Sequence, residues 1–158
     1  MNALPPTKLT PSSGVWDGNR HLFPLRVYYE DTDAGGIVYH ASYFRFIERA
    51  RTEMLRSLGI ELNAALDVYG VLFVVHSGDM RFRRPAKLDD VMTVETVLCD
   101  LGVASLNARQ TAWRGDEEIF SCNLKLATVN SLGRSAPLPD VLRTKLAALA
   151  EQDVGKTG

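Results

Sequence analysis

Glu30-Asp31-Thr32-Asp33-Ala34-Gly35-Gly36-Ile37-Val38-Tyr39-His40-Ala41-Ser42 is the stretch whose reading decides the fold. It joins a strand-like segment to a long two-faced one. It also gathers carboxylates, paired glycines, a tyrosine and a histidine just before a helix start. Helix starts present N–H groups with no intrahelical partner and the positive end of a dipole. A carboxylate beside such groups suits anion binding, or stabilisation of an oxyanion formed during acyl transfer.

Downstream, the pattern predicts a helix from about Ala41 to Leu58. Tyr43, Phe46, Ile47, Ala50, Met54 and Leu58 share one sector, and Arg45, Glu48, Arg49, Thr52, Glu53 and Arg56 the opposite one. Ser42 is the expected N-cap and Gly59 the stop. So two-faced a helix needs a broad apolar surface to lie on. Upstream, Leu22 to Glu30 alternates as a strand, with Phe23, Leu25, Val27 and Tyr29 on one face. Continued past Tyr29, that alternation would turn Asp31 and Asp33 inward as well.

A short helical piece, Glu61 to Val68, closes before Gly70. The rest is strand-rich. Val71-Leu72-Phe73-Val74-Val75 opens a segment running to Arg83 and reads as a strand covered on both faces. Three meander-linked strands follow, carrying Met92, Val94 and Leu98, then Leu106, Ala108 and Ala112, then Phe120, Cys122, Leu124 and Leu126 on their apolar faces. A last amphipathic helix is expected from Val141 to Ala150. One strand, one long helix and four more strands are buried most simply with the helix across a curved five-stranded antiparallel sheet, an α+β arrangement.

Of 158 residues, 46% are hydrophobic and 23% charged, which fits one soluble domain, here placed at residues 22–151. Residues 1–21, with Pro5-Pro6, Pro11 and Ser12-Ser13-Gly14, read as a flexible or loosely docked arm in which Trp16 is the one anchor; residues 152–158 read as a frayed tail. With 18 Lys and Arg against 19 Asp and Glu, nothing suggests a nucleic-acid partner. No apolar run reaches membrane-spanning length, and Met1 to Arg20 has no secretory core. Cys99 and Cys122 lack metal-ligand spacing and read as reduced thiols, so the expected location is cytoplasmic.

Asp33 is the leading catalytic candidate, as general base to a water or as nucleophile; the competing reading is a turn aspartate bonding local N–H groups. His40 is placed to orient a carbonyl, protonate a leaving thiolate, or cap the helix. Glu48 and Glu53 fall on the solvated helix face with nearby arginines. Arg81, Arg83, Arg84 and Lys87 form a basic cluster that suits either phosphates or a solvated turn. His21 and His76 read as structural. The chain has no nucleophilic-serine elbow, metal-spaced His/Cys set or phosphate-cradling glycine loop.

Val27 to Tyr43, continuing into Phe46-Ile47-Glu48-Arg49-Ala50-Arg51-Thr52-Glu53, closely resembles the YbgC-type acyl-CoA thioesterases. These belong to the 4-hydroxybenzoyl-CoA thioesterase group of the hotdog fold, often encoded beside the Tol–Pal envelope system. Arg84-Pro85-Ala86-Lys87-Leu88-Asp89-Asp90 also looks like the family, and the resemblance runs from about Arg26 to Pro139. It implies a central helix wrapped by a five-stranded sheet, dimers joined sheet edge to sheet edge that often pair into tetramers, and active sites at the dimer interface. It maps the family's catalytic aspartate to Asp33, its tyrosine to Tyr29 and its histidine to His40, with the helix-start N–H near His40 as oxyanion hole. No metal or organic cofactor is implied. The turn Leu101-Gly102-Val103-Ala104 lacks the basic residues that aryl-CoA members can carry there for CoA phosphates, so no CoA contacts are carried over and an aryl-CoA substrate is disfavoured; the expected substrate is a short aliphatic acyl-CoA. Two rivals remain: an acyl donor carried on acyl carrier protein, and a non-catalytic acyl-binding or scaffolding hotdog module.

Overall fold

A helix with one apolar face and a sheet with one uncovered face bury each other, and that pairing organises the molecule. The computed structural model describes residues 9–150. The elements are β1 (Val15–Asp17), β2 (Arg20–Arg26), α1 (Ser42–Ser57), α2 (Ala65–Tyr69), β3 (Leu72–Phe82), β4 (Val91–Leu101), β5 (Ser105–Arg114), β6 (Glu117–Val129) and α3 (Asp140–Ala147). They form one antiparallel sheet in the order β1-β2-β4-β5-β6-β3, with α1 laid mainly on β4 and β2. This is the expected α+β hotdog arrangement with six strands instead of five. The expected tail, residues 152–158, lies outside the described residues, as do residues 1–8 of the expected arm.

Tyr43, Phe46, Ile47, Ala50 and Met54 of α1 are all buried. At about 1.5–3 kcal/mol for each large apolar side chain, this face fixes the helix on the sheet. Leu58 and Gly59 end the helix: Gly59 takes φ +77°, and the Ile60 N–H reaches back to the Leu55 carbonyl at 2.9 Å. Two apolar clusters result. One joins the first half of α1 to Met92, Val94, Phe120 and Leu124; the other joins its second half to Leu98, Leu106, Leu126 and α3.

Four sequence expectations are changed by the structure. The strand expected to run to Glu30 stops at Arg26, the last residue paired with β4. Beyond it the Asp31 carboxylate takes the Tyr28 N–H at 2.8 Å and curls the chain into a 3₁₀ turn over Tyr29–Asp31. Tyr29 therefore leaves the apolar face and is 82% exposed. Ser42 is not the N-cap: it is the first residue of α1, and no side chain caps that helix. The run Val71 to Val75 is not covered on both faces, because β3 is one of the sheet's two outer strands, with Val74 and Val75 exposed.

The fourth difference lies in the expected arm. Val15–Asp17 pairs with β2, Trp16 lies opposite His21, and the Trp16 Nε1–H donates to Ser57 Oγ at 3.1 Å. His21 is fully buried beneath this strap, edge-on to Trp16 at 5.0 Å, with Nε2 against the Ser13 carbonyl at 2.7 Å. Gly14, at φ +78°, packs where a Cβ would meet the Leu22 carbonyl oxygen at 2.3 Å. Among the described residues, no helix is long and apolar enough to cross a membrane.

Burial pushes the His21 pKa below its ordinary value, against the opposing pull of the Ser13 carbonyl and Glu53. A lowered folded-state pKa means that the unfolded chain binds the proton more tightly. The His21 contribution to stability is then present above the unfolded value and lost as pH falls through the folded one. Thermal unfolding followed from about pH 7 down to about pH 5 should show a steeper loss for the wild type than for His21→Phe. Equal slopes would show that the strap is not held by a neutral His21.

Candidate functional site

The loop between β2 and α1 is built around Asp31, which is buried. Its carboxylate holds Tyr28, while its carbonyl accepts both the Tyr39 N–H at 2.9 Å and the Ser42 hydroxyl at 3.0 Å. One residue thus joins the end of β2, the return of the loop and the first residue of α1. Between these ties the chain makes a tight excursion. The Asp33 N–H donates to Ile37 at 3.0 Å, and the Gly36 N–H, at φ +76°, donates to the Asp33 carbonyl at 3.0 Å. The loop is also fastened to the segment after β3, with the Val38 N–H on the Ala86 carbonyl at 2.8 Å and Ile37 bridged to Lys87.

Asp31 and Asp33, which continued alternation would turn to the same side, are separated by this geometry. Asp31 is buried and structural, whereas Asp33 is exposed at the tip. Asp33 Oδ1 accepts the Gly35 N–H at 2.8 Å, so the turn-aspartate role exists. That bond engages one carboxylate oxygen and orients the group. Asp33 and His40 line the same pocket, of about 440 Å³, with Tyr43 and Phe82 in its apolar wall and Arg83 and Arg84 at its basic side. His40 packs against Tyr39 with ring centres 4.4 Å apart. Tyr29 does not line this pocket; its carbonyl holds the Thr32 hydroxyl at 2.8 Å.

The apolar wall was legible only as core in the sequence. Tyr43 stacks on Phe120 at 4.9 Å and meets Phe82 edge-on at 5.7 Å, and burial pushes its phenol pKa up. Arg83 pairs with Glu118 at 3.1 Å and Arg84 with Glu117 at 3.7 Å, both at the surface. Such pairs contribute about 0–1 kcal/mol, so neither arginine is locked away from an anionic ligand.

No side chain caps α1, which begins just after His40; the Ser42 N–H donates to the Tyr39 carbonyl at 2.8 Å and the Phe44 N–H to the Ala41 carbonyl at 3.3 Å, so what the helix start brings beside His40 is chiefly the positive end of its dipole. A carboxylate, an imidazole and an uncapped helix start at one apolar-walled pocket form the set required to activate water and hold a developing oxyanion. Among the described residues, no three His, Cys, Asp or Glu side chains gather as a metal site.

A second polar group was missed in the sequence. Arg51, on α1, is 7% exposed; it donates to Gln110 Oε1 at 2.8 Å and pairs with Glu48. Gln110, fully buried on β5, donates in turn to the Ile47 carbonyl and to Thr96 Oγ1, each at 2.9 Å. The available signal was Gln110 itself, which occupies an inward slot between Ala108 and Ala112.

Comparison with known proteins gives a consistent set of likenesses. A sequence profile of the thioesterase superfamily matches residues 35–121. The acyl-CoA thioesterase YbgC of Haemophilus influenzae is 42% identical over 120 residues, covering 76% of this chain and 88% of the relative. The acyl-CoA thioester hydrolase YbgC of Escherichia coli is 44% identical over 113 residues, covering 66% and 84%. Among solved structures, one described as a probable thioesterase from Bartonella henselae superposes with TM-score 0.73 at 36% identity, covering 76% of this chain and 99% of its own.

The two aspartates should separate cleanly on substitution. Asp31→Ala leaves the Tyr28 N–H without its acceptor and should cost about 1–3 kcal/mol of stability in denaturant titrations. Asp33→Asn, at an exposed position that keeps an oxygen for Gly35, should stay within about 0.5 kcal/mol of wild type. The reverse ranking would show that Asp33, not Asp31, holds the loop.

Proposed function

We propose that this chain, which belongs to the thioesterase superfamily and to its YbgC acyl-CoA thioesterase family, hydrolyses short aliphatic acyl-CoA thioesters in the cytoplasm. Water adds to the acyl carbonyl, the C–S bond breaks, and a carboxylic acid and the CoA thiol leave. The observation that carries this reading is the meeting of Asp33 and His40 in one pocket at the uncapped start of α1.

In this mechanism, Asp33 Oδ1 stays with the Gly35 N–H, and the other oxygen takes a proton from water or attacks the carbonyl itself. The helix-start N–H groups near His40 receive the oxyanion. His40 orients the thioester and protonates the departing thiolate. Tyr29, exposed and outside this pocket within one chain, is assigned the positioning of the thioester from the far side of the loop. Tyr43 and Phe82 shield the reacting carbon from bulk water.

The second part of the proposal is a dimer. β3 is eleven residues long, is paired on one side only, and exposes Leu72, Val74, Val75 and Phe82. A long apolar edge strand is a template for pairing, and a second copy meets it with the same surface through a two-fold axis. That partner would supply the cover that the run Val71 to Val75 lacks in one chain.

Thiol release should be followed over a panel of short, long and aromatic acyl-CoAs, with the same short acyl group also presented on acyl carrier protein. Asp33→Asn should lower kcat by about 10²–10⁴. Wild-type turnover in that variant would sink the assignment of Asp33, and faster turnover on the carrier protein would replace CoA as the carrier. In sedimentation, the wild type should run as a dimer or a multiple of it, and Val74→Lys should shift it toward monomer with loss of turnover. A monomeric, fully active wild type would refute the dimer.

A further inference from the structure

Both ends of the Asp33 loop are fastened to one segment, residues 85–90, which follows β3. At the start of the loop, the Val27 N–H donates to the Asp90 carbonyl at 2.9 Å, and the Asp89 N–H donates back to the Val27 carbonyl at 3.0 Å. At its return, the Val38 N–H donates to the Ala86 carbonyl at 2.8 Å, and Ile37 bridges Lys87. The Ile37 carbonyl in turn accepts the Asp33 N–H at 3.0 Å. The segment also reaches the pocket wall: the Tyr43 hydroxyl hydrogen-bonds the Ala86 backbone, and Pro85 lines the pocket itself. The place of Asp33 therefore follows the shape of residues 85–90.

A residue from another part of the chain closes that shape. Arg114 is the last residue of β5. Its Nη1 donates to the Pro85 carbonyl at 3.2 Å and to Asp90 Oδ2 at 2.7 Å, joining the first residue of the segment to the last. Asp90 Oδ2 also accepts the Lys87 N–H at 2.9 Å. Inside the closed segment Asp89 turns at φ +69°, a conformation uncommon for residues with a side chain. The Arg114 and Asp90 side chains are 29% and 25% exposed, and an ion pair this open to water adds little to stability. Its geometric effect is larger, because it sets how the anchors of Val27 and Val38 are spaced. A displacement of about 1 Å at a catalytic group can lower the rate by about 10²-fold. Arg114 does not line the pocket, so its influence passes through the segment and not through the substrate.

We propose that Arg114 is a positioning residue for thioester hydrolysis: it closes residues 85–90 through Pro85 and Asp90, and so holds the Asp33 loop at the pocket. This rests on the thioesterase reading above.

The test follows butanoyl-CoA hydrolysis by wild type and variants at a temperature where each is folded. Arg114→Met should lower kcat by about 10–100-fold. Arg114→Lys should recover most of that loss, since one nitrogen makes both bonds and an ammonium carries several donors. Asp90→Asn opens the same clamp more gently and should lower kcat by a smaller factor. Added to Asp33→Asn, Arg114→Met should lower kcat by no more than about twofold, because the group it positions is already gone. A full loss in that background, or wild-type kcat in Arg114→Met, overturns the proposal. An unaffected Asp90→Asn overturns the route through Asp90. Amide hydrogen exchange separates the clamp from the chemistry. Exchange at Asp33 and Val38 should be about tenfold faster in Arg114→Met, while β4 and β6 keep wild-type protection. Unchanged exchange at both amides overturns the clamp whatever the kinetics. Absence of hydrolysis by wild type, with the exchange response present, overturns the thioesterase reading and the catalytic role of Arg114, and leaves only the clamp.

Discussion

Three parts of the chain meet at Asp31: the end of β2 through its carboxylate, and the return of the loop and the first residue of α1 through its carbonyl. A buried carboxylate is tolerable only where its oxygens are engaged, and here the engagement curls the backbone away from the sheet. That curl sends Asp33 to the pocket and leaves Asp31 inside. It also delivers the chain to α1 with Ala41 at the cap position, which has no side chain to cap the helix, while the Ser42 hydroxyl ties the first helical residue back to Asp31. The site therefore depends on a structural aspartate two residues from the proposed catalytic one.

The sheet imposes the second constraint. α1 lies mainly on β2 and β4, so the β6–β3 side of the inner face has less helix over it. The consequences are the exposed apolar residues of β3 and a small cavity bounded by Arg51. The network through Gln110 to Thr96 and the Ile47 carbonyl keeps Arg51 satisfied and ties the middle of α1 to the sheet. Buried polar groups of this kind fix one arrangement of helix on sheet, since any slippage leaves donors unpaired.

Much of the fold was legible because two periodicities are hard to confuse. Tyr43, Phe46, Ile47, Ala50 and Met54 recur at helical spacing, and Met92, Val94 and Leu98 at strand spacing, and all of these side chains are buried. The misread places share one cause. Tyr29 was put on an inward face by extending a strand whose partner had ended, and β3 was read as doubly covered from an apolar run that an edge strand also carries. Trp16 was recognised as an anchor, but a three-residue strand made by backbone pairing leaves almost no pattern in side chains.

Local spacing and backbone freedom suffice for the helix, its stop at Gly59, the meander of β4 to β6 and the loop that bears the site, so all four can be read along the chain. The family was also legible there, in a long motif whose members are neighbours along the chain. Which aspartate is buried, that Tyr43 and Phe82 wall the pocket, that Arg51 finds Gln110, and that β3 is an edge emerge only in the folded chain. Each of these depends on residues far apart in the chain meeting in space, and no local period encodes which distant partner a side chain will find.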